Sequence, residues 1–452
     1  MLLNIIKNNL NSISSLNLIF AFFPVSFVLG NFITNLNLLL FCAYGIWHSR
    51  SKILTFKFNF ALKIIFIFFL IVFFSTVLSF VKSLYFQEYE ATIFDRLVKS
   101  ILFFRYFLFL LVIYYLSYNN IINFKYFFIS AAIVTLIVAV DVIFQYTFGY
   151  NFFGFKSYIH HNTSFFTDEL IAGGYIQNFS FFSLFYLTYS IKNYNKFLNV
   201  ALTTTTVCVL GAAILFSGNR MPVVLFLLGL LLVYIFNEKL RNKILLSFFS
   251  LIIVLGIIIS FDTHFNSSFK SFKQNVTGTV SDLLIRLKTD EKTIIQDEQK
   301  EFLTETFELA GHRKIISTAI ETWKLHKIFG NGIKSFKVDC QKIIIQQKRG
   351  ICSNHPHNYF MEILTDLGVV GFINVLIMAC LFVFFLFRNY KHFNKNRFGT
   401  FFLLAAVISL FLEVFPFKST GSIFTTNDMT YIILISGIIL CHKKLIDGQN
   451  LS

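Results

Sequence analysis

Long apolar runs separated by short polar segments repeat along most of the chain. Each run has roughly 15 to 23 residues, close to the ~20 that an α-helix needs to cross a hydrocarbon core of ~30 Å. The pattern therefore predicts an all-α polytopic membrane protein with about twelve transmembrane helices. The predicted spans are 14–31, 33–47, 64–81, 101–117, 126–147, 171–190, 197–216, 222–236, 244–261, 369–387, 399–416 and 427–441.

Composition supports a bilayer environment. Of the 452 residues, 56% are hydrophobic and only 14% are charged, whereas water-soluble domains carry about 25% charged residues. The net charge of +16 does not indicate a nucleic-acid partner, because the cations form small clusters between apolar runs and no basic face gathers them. Such clusters are typical of cytoplasmic loops.

The positive clusters also predict the topology. Threading twelve spans places the clusters on one side of the membrane, so both termini are expected in the cytoplasm. Residues 1–261 then carry helices 1–9, residues 262–368 form one large periplasmic loop with amphipathic helices, and residues 369–452 carry helices 10–12. The first run lacks a small-residue cleavage site after Gly30 and is expected to stay attached as a span. The stretch 280–309 is highly charged and is predicted to be a surface helix or a mobile loop.

A helix is predicted over residues 312–329, where apolar residues recur at helical spacing and Gly330 provides a terminator. Its apolar stripe predicts an amphipathic helix that lies on the membrane. Arg313 shares that stripe, which is unusual for a cation. It is either an arginine that snorkels from the helix end or an anion clamp over a cavity. The stripe consists of Ile316, Ala319, Ile320 and Trp323.

Two of the six cysteines, Cys340 and Cys352, share the outer loop. They can form a disulfide in an oxidising compartment. The alternative is a zinc site that includes His355 and His357, although the spacing fits no standard zinc pattern.

A histidine segment follows directly at residues 353–358. Its capping residues and Pro356 predict a helix that begins there and runs to Leu367, with Gly368 ending or bending it before the next span. His357 would then lie at the outer mouth of the membrane. It is either a general base or a hydrogen-bonded interfacial histidine.

Several charged residues near the outer face remain open in role. Arg105 lies inside the fourth span, where it can bind phosphate or pair with the buried acids Asp141 or Glu413. Arg96 is equally open. Asp168 and Glu169 near the start of the sixth span can bind acceptor sugar hydroxyls or cap the helix.

The histidine segment resembles the signature of the O-antigen ligase and polymerase superfamily of bacterial envelopes. The resemblance lies in His357-Asn358, followed after nine residues by Gly368-Val369-Val370-Gly371. It extends over roughly residues 200 to 430. Its other parts are Ser217-Gly218-Asn219-Arg220, Arg313 with Trp323 and Gly330-Asn331-Gly332, the segment 415–420, and the segment 166–174 that is similar to one found before a span in some members.

The resemblance implies a GT-C-type membrane glycosyltransferase of the bacterial inner membrane that works on the periplasmic face without a metal or other cofactor. It would transfer an undecaprenyl-pyrophosphate-linked glycan, by inverting displacement, to a sugar hydroxyl such as one on lipid A-core. Arg220 and Arg313 match the family's arginines, which would stabilise the diphosphate leaving group. His357 matches its histidine, the general base, and Asn358 would help to orient it.

The sequence is consistent with metal independence, because it contains no Asp-x-Asp pair to bind a hard cation. Glu88-Tyr89-Glu90 is the nearest approach and is interpreted as solvated charge. The alternative function is an O-antigen polymerase that joins repeat units on the same lipid carrier, with the growing glycan as acceptor. A flippase or transporter is more remote, since such folds often show repeated halves. A non-enzymatic scaffold is the least favoured.

Overall fold

The computed structural model describes residues 14–53, 57–86, 92–157, 161–167, 169–263, 265–267, 269–270, 311–347, 351–395 and 397–447. The predicted charged stretch 280–309 lies outside these residues. Within them the chain folds into helices, and the only extended pairing is an isolated β-bridge between Tyr150 and Lys156.

The main helices are numbered here in chain order. The first nine are α1 (Ser14–Val28), α2 (Asn31–Ser49), α3 (Phe60–Tyr85), α4 (Ile93–Tyr118), α5 (Phe124–Phe148), α6 (Ala172–Ser190), α7 (Lys196–Phe216), α8 (Arg220–Phe236) and α9 (Arg241–Phe261). After them come α10 (Gly311–Leu325), α11 (Phe336–Gln347), α12 (Tyr359–Phe393), α13 (Phe398–Glu413), α14 (Thr426–Leu440) and α15 (His442–Ile446).

Among the described residues, six helices are long and apolar enough to cross a membrane: α3, α4, α5, α7, α9 and α12. Four shorter apolar helices accompany them: α1, α8, α13 and α14. Each predicted span coincides in position with one of these ten or with α2 or α6. The all-α polytopic membrane fold is thus confirmed, while the number of crossings stays a prediction.

Aromatic side chains fill much of the interior. Phe20 lies at the centre of one group, with ring centroids 5.4 Å from Phe41 and 5.3 Å from Phe127. Phe109 joins this group through Phe23 and Phe41. Such tilted and edge-on ring pairs add to the energy of burial. The 63 phenylalanines therefore serve packing between helices as well as contact with lipid.

Helix α12 breaks at Gly368, as the sequence predicted. The backbone just after the break forms hydrogen bonds with the loop that follows α10. Gly368 has φ +65°, and the amides of Val369 and Val370 donate to the carbonyls of Lys327 (2.9 Å) and Ile328 (3.1 Å). A Cβ on Gly368 would come within 2.3 Å of the Ile328 carbonyl oxygen. The loop backbone therefore lies directly against the break, at a distance that only glycine permits.

The beginning of α12 differs from the prediction. Asn358 caps the helix by accepting hydrogen bonds from the amides of Phe360 and Met361, so α12 begins at Tyr359. Pro356 therefore lies before the cap, and not in the first helical turn.

Helix α10 forms over most of the predicted range 312–329, but it ends four residues earlier, at Leu325, and it packs through another face. Its buried residues are Ile315, Thr318, Ala319 and Thr322, while Ile316 and Ile320 are each 37% exposed. The predicted inward stripe is therefore wrong for both isoleucines. The face that packs on α11 and α12 is the one that carries Ile315, Thr318, Ala319 and Thr322, and it turns Ile316 and Ile320 outward.

Candidate functional site

A cavity of about 450 Å³ lies where the start of α4 meets the loops around α11 and α12. Four of its lining residues are cations, and Asp95 is its one lining carboxylate among the described residues. The lining consists of Thr92, Asp95, Arg96, Lys99, Lys334, Lys337, Val338, Asn354, His355, Ser422 and Thr425. This concentration of positive charge suits an anionic ligand.

Arg96 is fixed in place at the cavity wall. Its side chain is 2% exposed, and Nη1 donates to the carbonyl of Asn331 at 2.8 Å. The Asn331 amide donates to both carboxylate oxygens of Asp339 (3.0 and 2.9 Å), and its Oδ1 accepts from Ser79 at 2.5 Å. The Gly330-Asn331-Gly332 motif thus connects α4 to α3 and α11.

Lys334 faces other cations across the cavity. Burial lowers the pKa of its ammonium group, and the charges of Lys99 and Arg105 lower it further, against the opposing effects of Glu362 and Asp366. Its backbone has φ +58°, a left-handed conformation that is uncommon outside glycine. In this conformation Lys334 is one of the residues that line the cavity.

Two histidines stand side by side, and His355 is the one that lines the cavity. Their ring centroids lie 4.3 Å apart. The His355 Nε2 atom is buried and has no hydrogen-bond partner among the described residues. His357 Nε2 lies 3.2 Å from the Ser353 hydroxyl. Sequence reasoning treated His355 only as a possible zinc ligand and missed its place at the cavity.

Burial lowers the pKa of His355 to about 4, and the nearby His357 and Lys334 act in the same direction. Between pH 6.5 and about 4, the unfolded chain binds a proton at this position and the folded protein does not. Stability should therefore fall as the pH falls through this window. When the pH is lowered from 7.5 to 5, we expect the melting temperature of the His355→Gln variant to fall less than that of the wild type. The measurement is thermal unfolding in detergent. Equal losses would contradict the assignment.

The segment 415–420 forms the support beneath the histidines. The Asn358 side-chain amide donates to the carbonyls of Pro416 (2.6 Å) and Lys418 (3.3 Å). The Thr420 amide donates to the carbonyl of His357 at 2.9 Å. Two motifs that are about sixty residues apart in the sequence are therefore in direct contact.

A buried ion pair anchors this support. Lys418 Nζ lies 2.5 Å from Glu413 Oε2. The same carboxylate accepts from the Tyr359 hydroxyl and the Asn178 amide, both at 2.7 Å. Because each oxygen of the carboxylate has a partner, the buried charge is compensated.

The comparison with known families supports this picture. A model of the O-antigen ligase family matches residues 205–376, which include Lys334, His355 and the motif from His357 to Gly371. The resemblance to the O-antigen ligase and polymerase superfamily is confirmed. None of the curated proteins matches the chain.

The matched residues 205–376 and the helices before them bring together only some of the predicted site residues. Arg96 lines the cavity, and His357 and Asn358 adjoin it through His355. Arg220 begins α8 and is not part of the lining. Arg313 falls in the first turn of α10, but its side chain lies outside the described residues, as does Asp168. Glu169 is exposed before α6, whose N-cap is Ile171 without a side-chain cap.

Among the described residues, Arg105 pairs with neither Asp141 nor Glu413. Arg105 donates to the Tyr106 hydroxyl at 2.7 Å and to the Leu102 carbonyl at 3.1 Å. Asp141 accepts instead from the Ser164 hydroxyl (2.5 Å) and the Phe152 amide (2.9 Å), and Glu413 is held by Lys418. Arg105 therefore contributes to the cation group around Lys334, which includes Lys99.

Cys340 and Cys352 are joined in a disulfide. The bond connects α11 to the histidine segment, and Cys340 is buried with Ala319 and Phe336 in a small apolar cluster. A link of this kind limits the movement of the segment that carries both histidines.

Proposed function

We propose that this protein is an O-antigen ligase: a metal-independent, inverting membrane glycosyltransferase that moves an undecaprenyl-pyrophosphate-linked glycan to a sugar hydroxyl of lipid A-core. One observation carries the proposal. A histidine pair within residues 205–376, which the O-antigen ligase family model matches, adjoins a cavity that four cations line.

The proposed reaction needs two groups at one place. As the bond between the sugar's anomeric carbon and the diphosphate breaks, negative charge collects on the diphosphate, and fixed cations stabilise it. The acceptor hydroxyl attacks the opposite face of that carbon and loses its proton to a base. We assign His357 as the base, and Arg220 and Arg313 as stabilisers of the leaving group, with Asn358 orienting His357 from its place as the cap of α12.

A second candidate for the base is His355. The structure favours it in one respect, since its Nε2 is buried at the cavity and has no partner among the described residues, whereas the His357 Nε2 lies beside Ser353. With a pKa of about 4, His355 is uncharged at neutral pH, but it is a weaker base than a histidine whose pKa lies near the working pH.

We further propose a GT-C-type architecture with twelve crossings in the bacterial inner membrane, both termini in the cytoplasm, and residues 262–368 in the periplasm. The positions of the positive clusters support this topology. The Asn237 amide donates to the Phe393 carbonyl at 3.0 Å, and the His442 ring lies 4.9 Å from that of Phe385. Three positive clusters that follow α8, α12 and α14 therefore lie at one end of the helices.

A deletion strain tests the function through gels of its lipopolysaccharide. A lost ligase leaves bare core while polymer accumulates on the lipid carrier, and this is the expected result. A core that bears a single repeat unit would indicate the alternative, an O-antigen polymerase. Unchanged glycans with impaired export would support a transporter. Complementation with the wild-type chain must restore the original pattern.

A further inference from the structure

We infer that Glu362 and Asp366 of α12 are positioning residues for the proposed transfer, each of which fixes one loop that carries lining residues of the cavity. The inference rests on the proposed function, since it concerns how the cavity keeps the shape that transfer requires. Neither carboxylate belongs to the described lining. Each therefore acts through the residues that it holds.

The two carboxylates lie on one face of the first part of α12, ahead of the break at Gly368. Together with Asn358 they recur at every fourth residue, and side chains four apart on a helix lie one above the other. Glu362 is 2% exposed and Asp366 is 0% exposed. A buried carboxylate is costly unless hydrogen bonds compensate it. The donors that reach these oxygens are therefore held firmly.

Asp366 attaches the loop between α10 and α11 at two points. Its Oδ1 accepts from the Phe336 amide at 2.9 Å and from the Ser335 hydroxyl at 3.2 Å. Its backbone carbonyl accepts from the Gly332 amide at 2.8 Å. Lys334 lies between these attachment points and lines the cavity. The position of Lys334 therefore depends on Asp366.

Glu362 attaches the loop between α13 and α14. Its Oε1 accepts from the Ser422 hydroxyl at 2.5 Å, and its Oε2 accepts from the Ile423 amide at 2.8 Å. The Ser422 carbonyl accepts in turn from the Thr425 amide at 3.0 Å. Because Ser422 and Thr425 both line the cavity, loss of the Glu362 carboxylate would release this wall.

One helix therefore sets the relative position of two loops and of the histidine segment. Asn358, the first residue of the same face, holds the carbonyls of Pro416 and Lys418, and His357 directly precedes it. A displacement of roughly 1 Å can lower the rate of a catalysed reaction by about 100-fold. The two carboxylates keep the loops from moving by such a distance relative to the histidines.

Charge is a separate explanation, and Asp366 allows it to be distinguished from position. Both carboxylates act electrostatically on Lys334. However, the Oδ2 atom of Asp366 is buried and has no hydrogen-bond partner among the described residues. Asparagine can therefore present its oxygen to the Phe336 amide and the Ser335 hydroxyl while it removes the charge. Alanine removes both the charge and the acceptor.

The first test is amide hydrogen exchange of the full-length protein in nanodiscs, which reports the opening of each loop separately. We expect Asp366→Ala to speed exchange about tenfold within residues 332–338 and to leave residues 419–426 unchanged. Glu362→Ala should give the reverse pattern. Asp366→Asn should exchange as the wild type does. Glu238→Ala is the control, because Glu238 is exposed between α8 and α9.

Two milder variants serve if the alanine variants of the carboxylates do not accumulate. Ser335→Ala removes one donor from Asp366, and Ser422→Ala removes one donor from Glu362. Each should speed exchange in its own loop by roughly threefold. Normal exchange in both loops would overturn the inference.

The second test is a double-mutant cycle on glycan transfer. Because Asp366 acts through Lys334, Asp366→Ala should lower kcat/KM about tenfold in the wild type but less than about threefold in the Lys334→Ala background. Asp366→Asn should retain transfer, which a role for the charge alone would not allow.

Three results would overturn the inference: faster exchange spread evenly over all helices, exchange in Asp366→Asn as fast as in Asp366→Ala, or losses in the cycle that simply multiply. If the exchange pattern is as expected but the deletion strain keeps normal lipopolysaccharide, the positioning of the loops stands and the proposed function fails.

Discussion

Replacement of His357 by alanine is expected to lower glycan transfer by roughly 100- to 10,000-fold, the usual contribution of a general base. The loss should appear in kcat, because substrate binding relies mainly on the cations. The measurement is transfer from the lipid-linked donor by purified protein in nanodiscs. His48→Ala is the control, since His48 lies in the last turn of α2 and outside the cavity lining.

His355→Ala separates the two histidines. If His357 is the base, His355→Ala should reduce transfer less than His357→Ala, through the loss of ring contact alone. The reverse order would reassign the base to His355. In that case kcat/KM of the wild type should stay level from neutral pH down to about pH 5, because the pKa of His355 lies near 4. Full activity in both single variants would refute a histidine base.

Gly368→Ala is expected to prevent stable accumulation of the protein or to lower its melting temperature by many degrees. A backbone with φ +65° and ψ −166° costs a non-glycine residue about 1–3 kcal/mol, and the new Cβ would lie 2.3 Å from the Ile328 carbonyl oxygen. The backbone between Lys327 and Gly332 would have to move, and Asn331 and Lys334 would move with it. Transfer should therefore be lost in any protein that still folds.

Gly256→Ala is the matched control for this variant. Gly256 lies in the middle of α9, and a Cβ there meets no atom within 4 Å. Alanine favours a helix more than glycine by about 1 kcal/mol, so this substitution should be neutral or slightly stabilising. Similar stability for both variants, measured by thermal unfolding and by membrane yield, would contradict the role given to the break at Gly368.

The sequence predicted the positions of the helices well, because a run of apolar residues of fixed length carries this information locally. It predicted less well which face of a helix is buried and at which residue a helix begins. The outward Ile316 and Ile320 of α10 look the same in a helical pattern as inward residues, and the choice depends on what packs alongside. The start of α12 depended on which of several adjacent polar residues became the cap, and Asn358 did.

The cavity could be predicted only in part. Arg96 was a candidate because it is a charge near the outer end of an apolar run. No pattern in the sequence distinguishes Lys99 and Lys334 from other lysines, because isolated lysines beside a membrane are common. These two lysines line one cavity because α4 contacts the loop before α11, where Arg96 donates to the Asn331 carbonyl, and these two segments are more than two hundred residues apart. Contacts between segments so far apart produce no recognisable pattern in the sequence around either lysine.

The support beneath the histidines has a consequence for chimeric proteins. The backbone of His357 and the side chain of Asn358 rest on residues 416–420, which lie beyond the stretch 205–376 that the family model matches. If that stretch alone were transplanted into a relative, His357 and Asn358 would contact the recipient's residues in place of residues 416–420. A transplanted segment has to extend through Thr425, the N-cap of α14. The recombination breakpoint then falls after the loop that connects α13 to α14.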